Sequence, residues 1–246
     1  MRVALVPPGY SRIARPGVVL VVRDDVAEPI MAAMATVSLY EWAATLPLRR
    51  ELHGRAPAYA VQLPNTDMHV VVRRNRHGGL FGPLLGDRFV LSRAPIELAI
   101  SRVFAQQGIP TPEVLAHATQ SLNWLHRRID VVTRLLPAGR DLGEVLLHGS
   151  GGPERDAVWH AVGVLLKSLR ETGAWHRDLN VKNIYLIEEP SAPPRAAVLD
   201  LDRVLFDIPG PTVAEANVAR LGRSLRKWRA TRGAQVTDAE IRALSV

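Results

Sequence analysis

At 246 residues the chain is long enough to bury a substantial core in one large domain or two small ones, which excludes wholesale disorder. Its basic balance, 31 Lys and Arg against 24 Asp and Glu, favours an anionic partner: a nucleotide, a nucleic acid, a phosphorylated substrate or an acidic membrane surface. The absence of cysteine excludes disulfides, thiolate catalysis and cysteine-based zinc sites, and none of the eight histidines forms an H-E-x-x-H pair.

The first residues carry only a short apolar run broken by Pro7 and Pro8, unlike a secretory signal, so residence in the cytoplasm is expected. Residues 18–22 read as a strand followed by an acidic turn at Asp24 and Asp25, and residues 30–46 as a helix in whole or in part. The most apolar long window, 26–48, is interrupted by Glu28, Pro29, Glu41 and Pro47, whereas a membrane span needs about 20 largely apolar residues. No transmembrane helix is expected.

From Gly54 the pattern changes to short strands, 58–63 and 68–73, around a turn at Pro64 and Asn65. A glycine ahead of such a hairpin either lets backbone N–H groups approach a bound anion closely or marks an ordinary turn. The second strand ends in Arg73, Arg74 and Arg76, of which the last two also read as a solvated edge. Residues 92–107 carry helical periodicity, with Ser92 as N-cap, Ile96, Ile100, Val103 and Phe104 on one face, and Glu97 either exposed or paired. Gly108 ends this helix, and Pro110 and Pro112 enforce an extended exit.

Strand patterns follow at 114–118 and 129–135, then a connector marked by Pro137 and Gly139, with Asp141 placed to cap a helix. A hinge is expected at this connector, and a cleft between the parts it joins is a common place for a ligand. Residues 156–172 repeat apolar side chains at helical spacing and stop at Gly173. Residues 217–233 form a further helix on which Arg220, Arg223 and Lys227 share a face, suited to an anionic sugar or lipid head group or simply to solvent.

Between these helices lies AWHRDLNVKNIYL, residues 174–186, in which His176, Arg177, Asp178, Leu179 and Asn183 satisfy H-R-D-L-x-x-x-N at every defined position. That is the catalytic-loop signature of the protein-kinase fold. Phosphoryl transfer from ATP needs a carboxylate near the acceptor hydroxyl and an oxygen ligand for Mg²⁺, and Asp178 and Asn183 are the candidates. A strand at 184–187 follows, and a second at 196–199 delivers Asp200 and Asp202, an acidic end suited to a hard cation. In this fold a strand lysine holds the nucleotide phosphates and pairs with a helix glutamate. The chain has no lysine there; Arg73 is the nearest substitute and Glu97 its candidate partner.

Taken together these motifs resemble the bacterial lipopolysaccharide core kinases, most closely those acting on 3-deoxy-D-manno-octulosonic acid (Kdo). The resemblance rests on RRNRHGGLFG from Arg73, SRAPIE from Ser92, GIPTPE from Gly108, HRDLNVKNI from His176, LDLDR from Leu199 and NVARLGRSLRK from Asn217. It implies an α+β, protein-kinase-like fold with a strand-rich N-terminal lobe, 1–136, and a short helical C-terminal lobe, 137–246. It further implies ATP-dependent phosphorylation of a Kdo hydroxyl, with Asp178 as base, Asn183 and Asp200 as Mg²⁺ ligands, and Arg73 with Glu97 at the nucleotide phosphates; Gly54 is a nucleotide-binding candidate from its place ahead of the hairpin alone. Arg220, Arg223 and Lys227 become candidates for the anionic acceptor, and peripheral attachment to the cytoplasmic face of the inner membrane is expected. Asn180 stands where protein kinases usually carry lysine, and no A-P-E segment is recognisable, which disfavours a protein substrate. A kinase of a heptose or an antibiotic and a nucleotide- or glycolipid-binding pseudokinase remain as alternatives. Nucleic acid is disfavoured because no stacking aromatics interleave the basic residues.

Overall fold

A computed structural model describes residues 6–52, 57–75, 93–123, 127–148 and 152–244. Gly54, Arg76 and Ser92 lie outside the described residues. The chain divides into two compact units, one of residues 1–99 and 113–135, the other of residues 100–112 and 136–246.

The first unit is built on a seven-stranded antiparallel sheet of order β1-β2-β6-β7-β5-β4-β3. Its strands are β1 (Tyr10–Arg15), β2 (Val18–Arg23), β3 (Arg50–Leu52), β4 (Ala58–Gln62), β5 (His69–Arg74), β6 (Val114–Ser121) and β7 (Arg127–Arg134). On one face, α1 (Ala27–Ala33) and α2 (Leu39–Thr45) bury Ile30, Leu39 and Ala43 against Val22, Val70, Val72, Leu115 and Val132. The single helix expected over 30–46 is thus two. Ser38 breaks it: its hydroxyl accepts from the Glu41 amide while the Glu41 carboxylate accepts from the Ser38 amide, a capping box that restarts the chain in a new direction. The opposite face packs Val21, Val114, Ile129 and Val131 against Ala94 and Leu98 at the start of α3 (Ala94–Gln106).

Strand alternation decides which side chains meet α3. Ala116 and Ala118 belong to the core under α1 and α2, so His117 between them points to the other face. In register, Val21, His117, Val131, Arg73 and Ala58 form one row across five strands. His117 is 4% exposed, and neither ring nitrogen has a hydrogen-bond partner among the described residues.

The second unit gathers its core from the rest of α3, whose Ile100 and Phe104 pack with residues of α4 (Leu142–His148), α5 (Gly152–Glu171) and α6 (Pro211–Arg232). Asp141 caps α4 as its position implied, accepting from the Glu144 amide at 2.9 Å. Small sheets hold the intervening chain: β8 (Gly139–Asp141), β10 (Ile184–Ile187) and β11 (Arg195–Val198) in the order β11-β10-β8, and β9 (Ala174–His176) with β12 (Val204–Phe206). α5 and α6 both begin earlier than the apolar pattern alone placed them, α6 with Pro211 in its first turn. The last helix, α7 (Asp238–Ala243), was not legible as a separate element. Its Glu240 caps it at Thr237 and accepts from Arg155 and Trp159. Burial opposes the charge on Glu240, but these donors hold its carboxyl down at about 2.

Burial pushes His117 down from 6.5 to about 4. The unfolded chain therefore takes up a proton between those values that the folded chain refuses, so stability falls as pH drops through that window and is level above it. For wild type the loss should reach about 3 kcal/mol by pH 4. Urea unfolding of His117→Leu between pH 4 and 8 should show a flatter dependence; an unchanged slope would mean that His117 is not buried as a neutral base.

Candidate active site

The segment from β9 to β12 is positioned by side chains more than by regular pairing. Gly173, at φ 70°, turns the chain out of α5, and a Cβ there would come within 2.1 Å of the Asp207 carbonyl. Only glycine lets β12 approach that closely. From α6, the buried Asn217 spans β9: its Oδ1 accepts from the His176 amide and its Nδ2 donates to the Ala174 carbonyl, each at 2.9 Å. One turn pair further along α6, the Ser224 hydroxyl accepts from the Val181 amide at 3.3 Å.

His176 is fully buried and acts as an internal strut. Its Nδ1 accepts from the Asp178 amide at 3.2 Å, which makes Nε2 the protonated nitrogen that donates to the Leu199 carbonyl at 2.9 Å. Burial, the dominant influence, lowers its pKa, so the ring stays neutral in this role. The Asp178 carbonyl accepts from Asn183 Nδ2 at 2.8 Å and from Asn180 Nδ2 at 3.0 Å, while Asn180 Oδ1 accepts from the Lys182 amide at 2.9 Å. The backbone of the turn is thereby closed on itself through the Asp178 amide and carbonyl.

The Asp178 carboxylate receives a short hydrogen bond from Arg220 Nη2. Of the remaining predicted acceptor-binding residues, Arg223 and Lys227 are exposed on α6 and do not join this pair. Lys182 turns away to Asp141 at 2.7 Å and lies 5.6 Å from the Trp228 ring, and Arg177 sits over Trp175 at 5.7 Å.

The β10–β11 hairpin brings Asn183 and Asp200 to one end. Asn183 immediately precedes β10, Asp200 follows β11, and the Leu199 amide donates to the Asn183 carbonyl at 2.9 Å. Asp200 adopts the left-handed conformation, φ 61° and ψ 57°, sparsely populated by side-chain-bearing residues and enriched at functional sites. Because Asn183 spends its Nδ2 on Asp178, its Oδ1 is the side-chain group it could present to a cation. Hard oxygen donors in this small number suit Mg²⁺, which keeps several waters and substrate phosphates among its ligands.

In the first unit, Arg73 donates to the buried Glu97 on α3 and to Asn75. Arg74, one residue on, faces the other side of the sheet, where it donates to Asp130 at 2.8 Å and to the Ser38 hydroxyl at 2.8 Å and lies 4.7 Å from the Tyr40 ring. Arg74 is a half-buried clamp joining β5, β7 and the start of α2, not a solvated edge. Asn217 and Ser224 escaped the sequence reading as supports for the loop. The signal was present in the N-x-x-R-L-x-R-S-L-x-K motif, whose Asn217, Arg220 and Ser224 recur at i, i+3 and i+7 and so share a helix face.

The fold is similar to that of a solved structure described as WaaP in complex with acyl carrier protein, with a TM-score of 0.54 and 17% identity over 87% of this chain and 83% of that one. The strand-rich sheet, the helical second unit and the H-R-D-L-x-x-x-N loop define a protein-kinase-like enzyme. A model of the lipopolysaccharide kinase (Kdo/WaaP) family matches residues 41–245, and the chain belongs to that family. Curated relatives include a 3-deoxy-D-manno-octulosonic acid kinase of Photobacterium damsela subsp. piscicida, 28% identical over 187 residues and 73% of each chain. Another of the same description, from Xanthomonas axonopodis pv. citri, is 30% identical over 191 residues, covering 75% of this chain and 72% of the relative.

Asn217→Leu should leave the His176 amide and the Ala174 carbonyl without partners inside the core. A loss of about 2–4 kcal/mol is expected in urea unfolding, and a loss below 1 kcal/mol would show that the bridge does not hold β9.

Proposed function

We propose that this chain transfers the γ-phosphoryl group of ATP to a hydroxyl of a Kdo sugar in lipopolysaccharide core assembly. The carrying observation is the loop itself: Asp178 and Asn183 are locked together through the Asp178 carbonyl, and the Asp178 carboxylate takes no part in that bond. Membership of a lipopolysaccharide kinase family and similarity to relatives described as 3-deoxy-D-manno-octulosonic acid kinases support the acceptor.

In this reading Asp178 accepts the proton of the attacking hydroxyl, and its fixed position is worth more than its basicity because phosphoryl transfer depends chiefly on alignment and charge stabilisation. Asn183 and Asp200 hold Mg²⁺, which when bound supplies neutralisation of phosphate charge. Arg73, kept in place by Glu97, contacts the nucleotide phosphates; guanidinium replaces the usual ammonium with a permanently charged planar donor. Gly54, outside the described residues, is the candidate for the phosphate-covering turn. Arg220, Arg223 and Lys227 serve the acidic acceptor. No helix among the described residues is long and apolar enough to cross a membrane, and the formal charge of +7 with exposed Arg223 and Lys227 supports peripheral attachment to an acidic inner-membrane surface from the cytoplasm.

Purified protein incubated with ATP, Mg²⁺ and Kdo-lipid A should add the mass of one phosphate to the acceptor. Asp178→Ala should lower kcat by roughly 10²–10⁴-fold. Transfer at the wild-type rate by Asp178→Ala would remove Asp178 as the base, and absence of a mass shift with the wild type would remove Kdo as the acceptor.

A further inference from the structure

Arg220 is a cation placed on the Asp178 carboxylate, and among the described residues that contact leaves part of its guanidinium unused. Asp178 Oδ1 takes a bond from Nη2, on one side of the guanidinium. A guanidinium is planar and carries five N–H donors in two forks, Nε with Nη2 and Nη1 with Nη2; Nη2 has two N–H groups, so one bond from it to Asp178 leaves its second N–H to complete the other fork. The side chains of Arg220 and Asp178 are 26% and 24% exposed, so the pair is open to a ligand on its solvent side. Two cations of the loop are committed elsewhere: Lys182 to Asp141, Arg177 over Trp175. Asn180, where protein kinases usually have lysine, is spent on the turn, with Nδ2 on the Asp178 carbonyl and Oδ1 on the Lys182 amide.

Resting on the Kdo-kinase reading above, we propose that Arg220 is the specificity-determining residue of the acceptor site: its free edge binds the carboxylate of an acidic sugar while Nη2 stays on Asp178. Fork-to-carboxylate pairing fixes the orientation of both planes. One guanidinium then holds base and acceptor in a common frame and sets the distance between the acceptor's acid group and the hydroxyl that is phosphorylated. In the transfer itself the acceptor oxygen forms its bond to the γ-phosphorus as the bond to the ADP oxygen breaks, and the hydroxyl proton passes to Asp178. The Arg220 charge is unchanged throughout. A 3-deoxyoctulosonic acid carries the required carboxylate and a heptose does not, so this residue separates the two classes of acceptor.

The test is steady-state transfer by the full chain to Kdo-lipid A and to the same acceptor with the Kdo carboxyl methyl-esterified, using wild type, Arg220→Met and Arg220→Lys. Wild type should lose on the order of 10–100-fold in kcat/KM for the acceptor on esterification, the worth of a charge-assisted hydrogen-bonded pair. Arg220→Met should lose a similar factor on the acid and then barely distinguish acid from ester, with KM for ATP unchanged; Arg220→Lys should keep part of the discrimination. A purely structural Arg220 would lower both acceptors equally. Overturning results are a wild type that uses acid and ester at the same rate, or an Arg220→Met that discriminates as strongly as wild type. Either outcome would leave Kdo phosphorylation standing. Transfer by wild type to a neutral heptosyl acceptor and none to Kdo would overturn the acceptor reading together with this one.

Discussion

The buried amide of Asn217 is the contact on which the catalytic segment depends. β9 is short, and its outer partner β12 satisfies only one of its edges. The remaining donor and acceptor, on His176 and Ala174, would otherwise be buried without partners, at a cost comparable to losing the bonds outright. A primary amide is the side chain that can give and take at once, so Asn217 closes both from a single helical position. Everything downstream inherits that anchoring: the His176 ring is oriented between the Asp178 amide and the Leu199 carbonyl, and through Leu199 the chain enters the turn at Asp200.

Within the loop the bonds run from side chains to backbone, which is how polar residues stabilise a turn in place of a ladder. Asn180 and Asn183 both converge on the Asp178 carbonyl. The consequence is a division of labour within one residue: the Asp178 backbone is fully used for structure, while its carboxylate faces Arg220.

The first unit shows the same economy through strand alternation. Arg73 and Arg74 are adjacent in sequence and opposite in fate. Arg74 fastens α2 to the sheet through Asp130 and Ser38, and Arg73 pairs with Glu97 on the face covered by α3. A one-residue slip of β5 would exchange the two and destroy both arrangements, so register alone specifies which arginine clamps and which is presented.

Much of the candidate site was legible in the sequence because it is local. H-R-D-L-x-x-x-N occupies eight consecutive positions, and Asp200 follows a strand pattern directly, so spacing alone picked out Asp178, Asn183 and Asp200. The Ser38 capping box was equally local, yet the apolar period running through it concealed the break between α1 and α2. What the amino-acid order could not decide was pairing at a distance. Asp178 and Arg220 stand 42 residues apart, and Arg74 and Asp130 stand 56 apart. The sequence determined the candidate catalytic loop and the periodicities of helix and strand, which depend on neighbours within a few bonds. Only the tertiary structure decided that Asn217 carries the loop, that Arg220 and not Arg223 or Lys227 meets Asp178, and that Arg74 clamps α2 to the sheet, because those outcomes depend on which faces the packed core brings together.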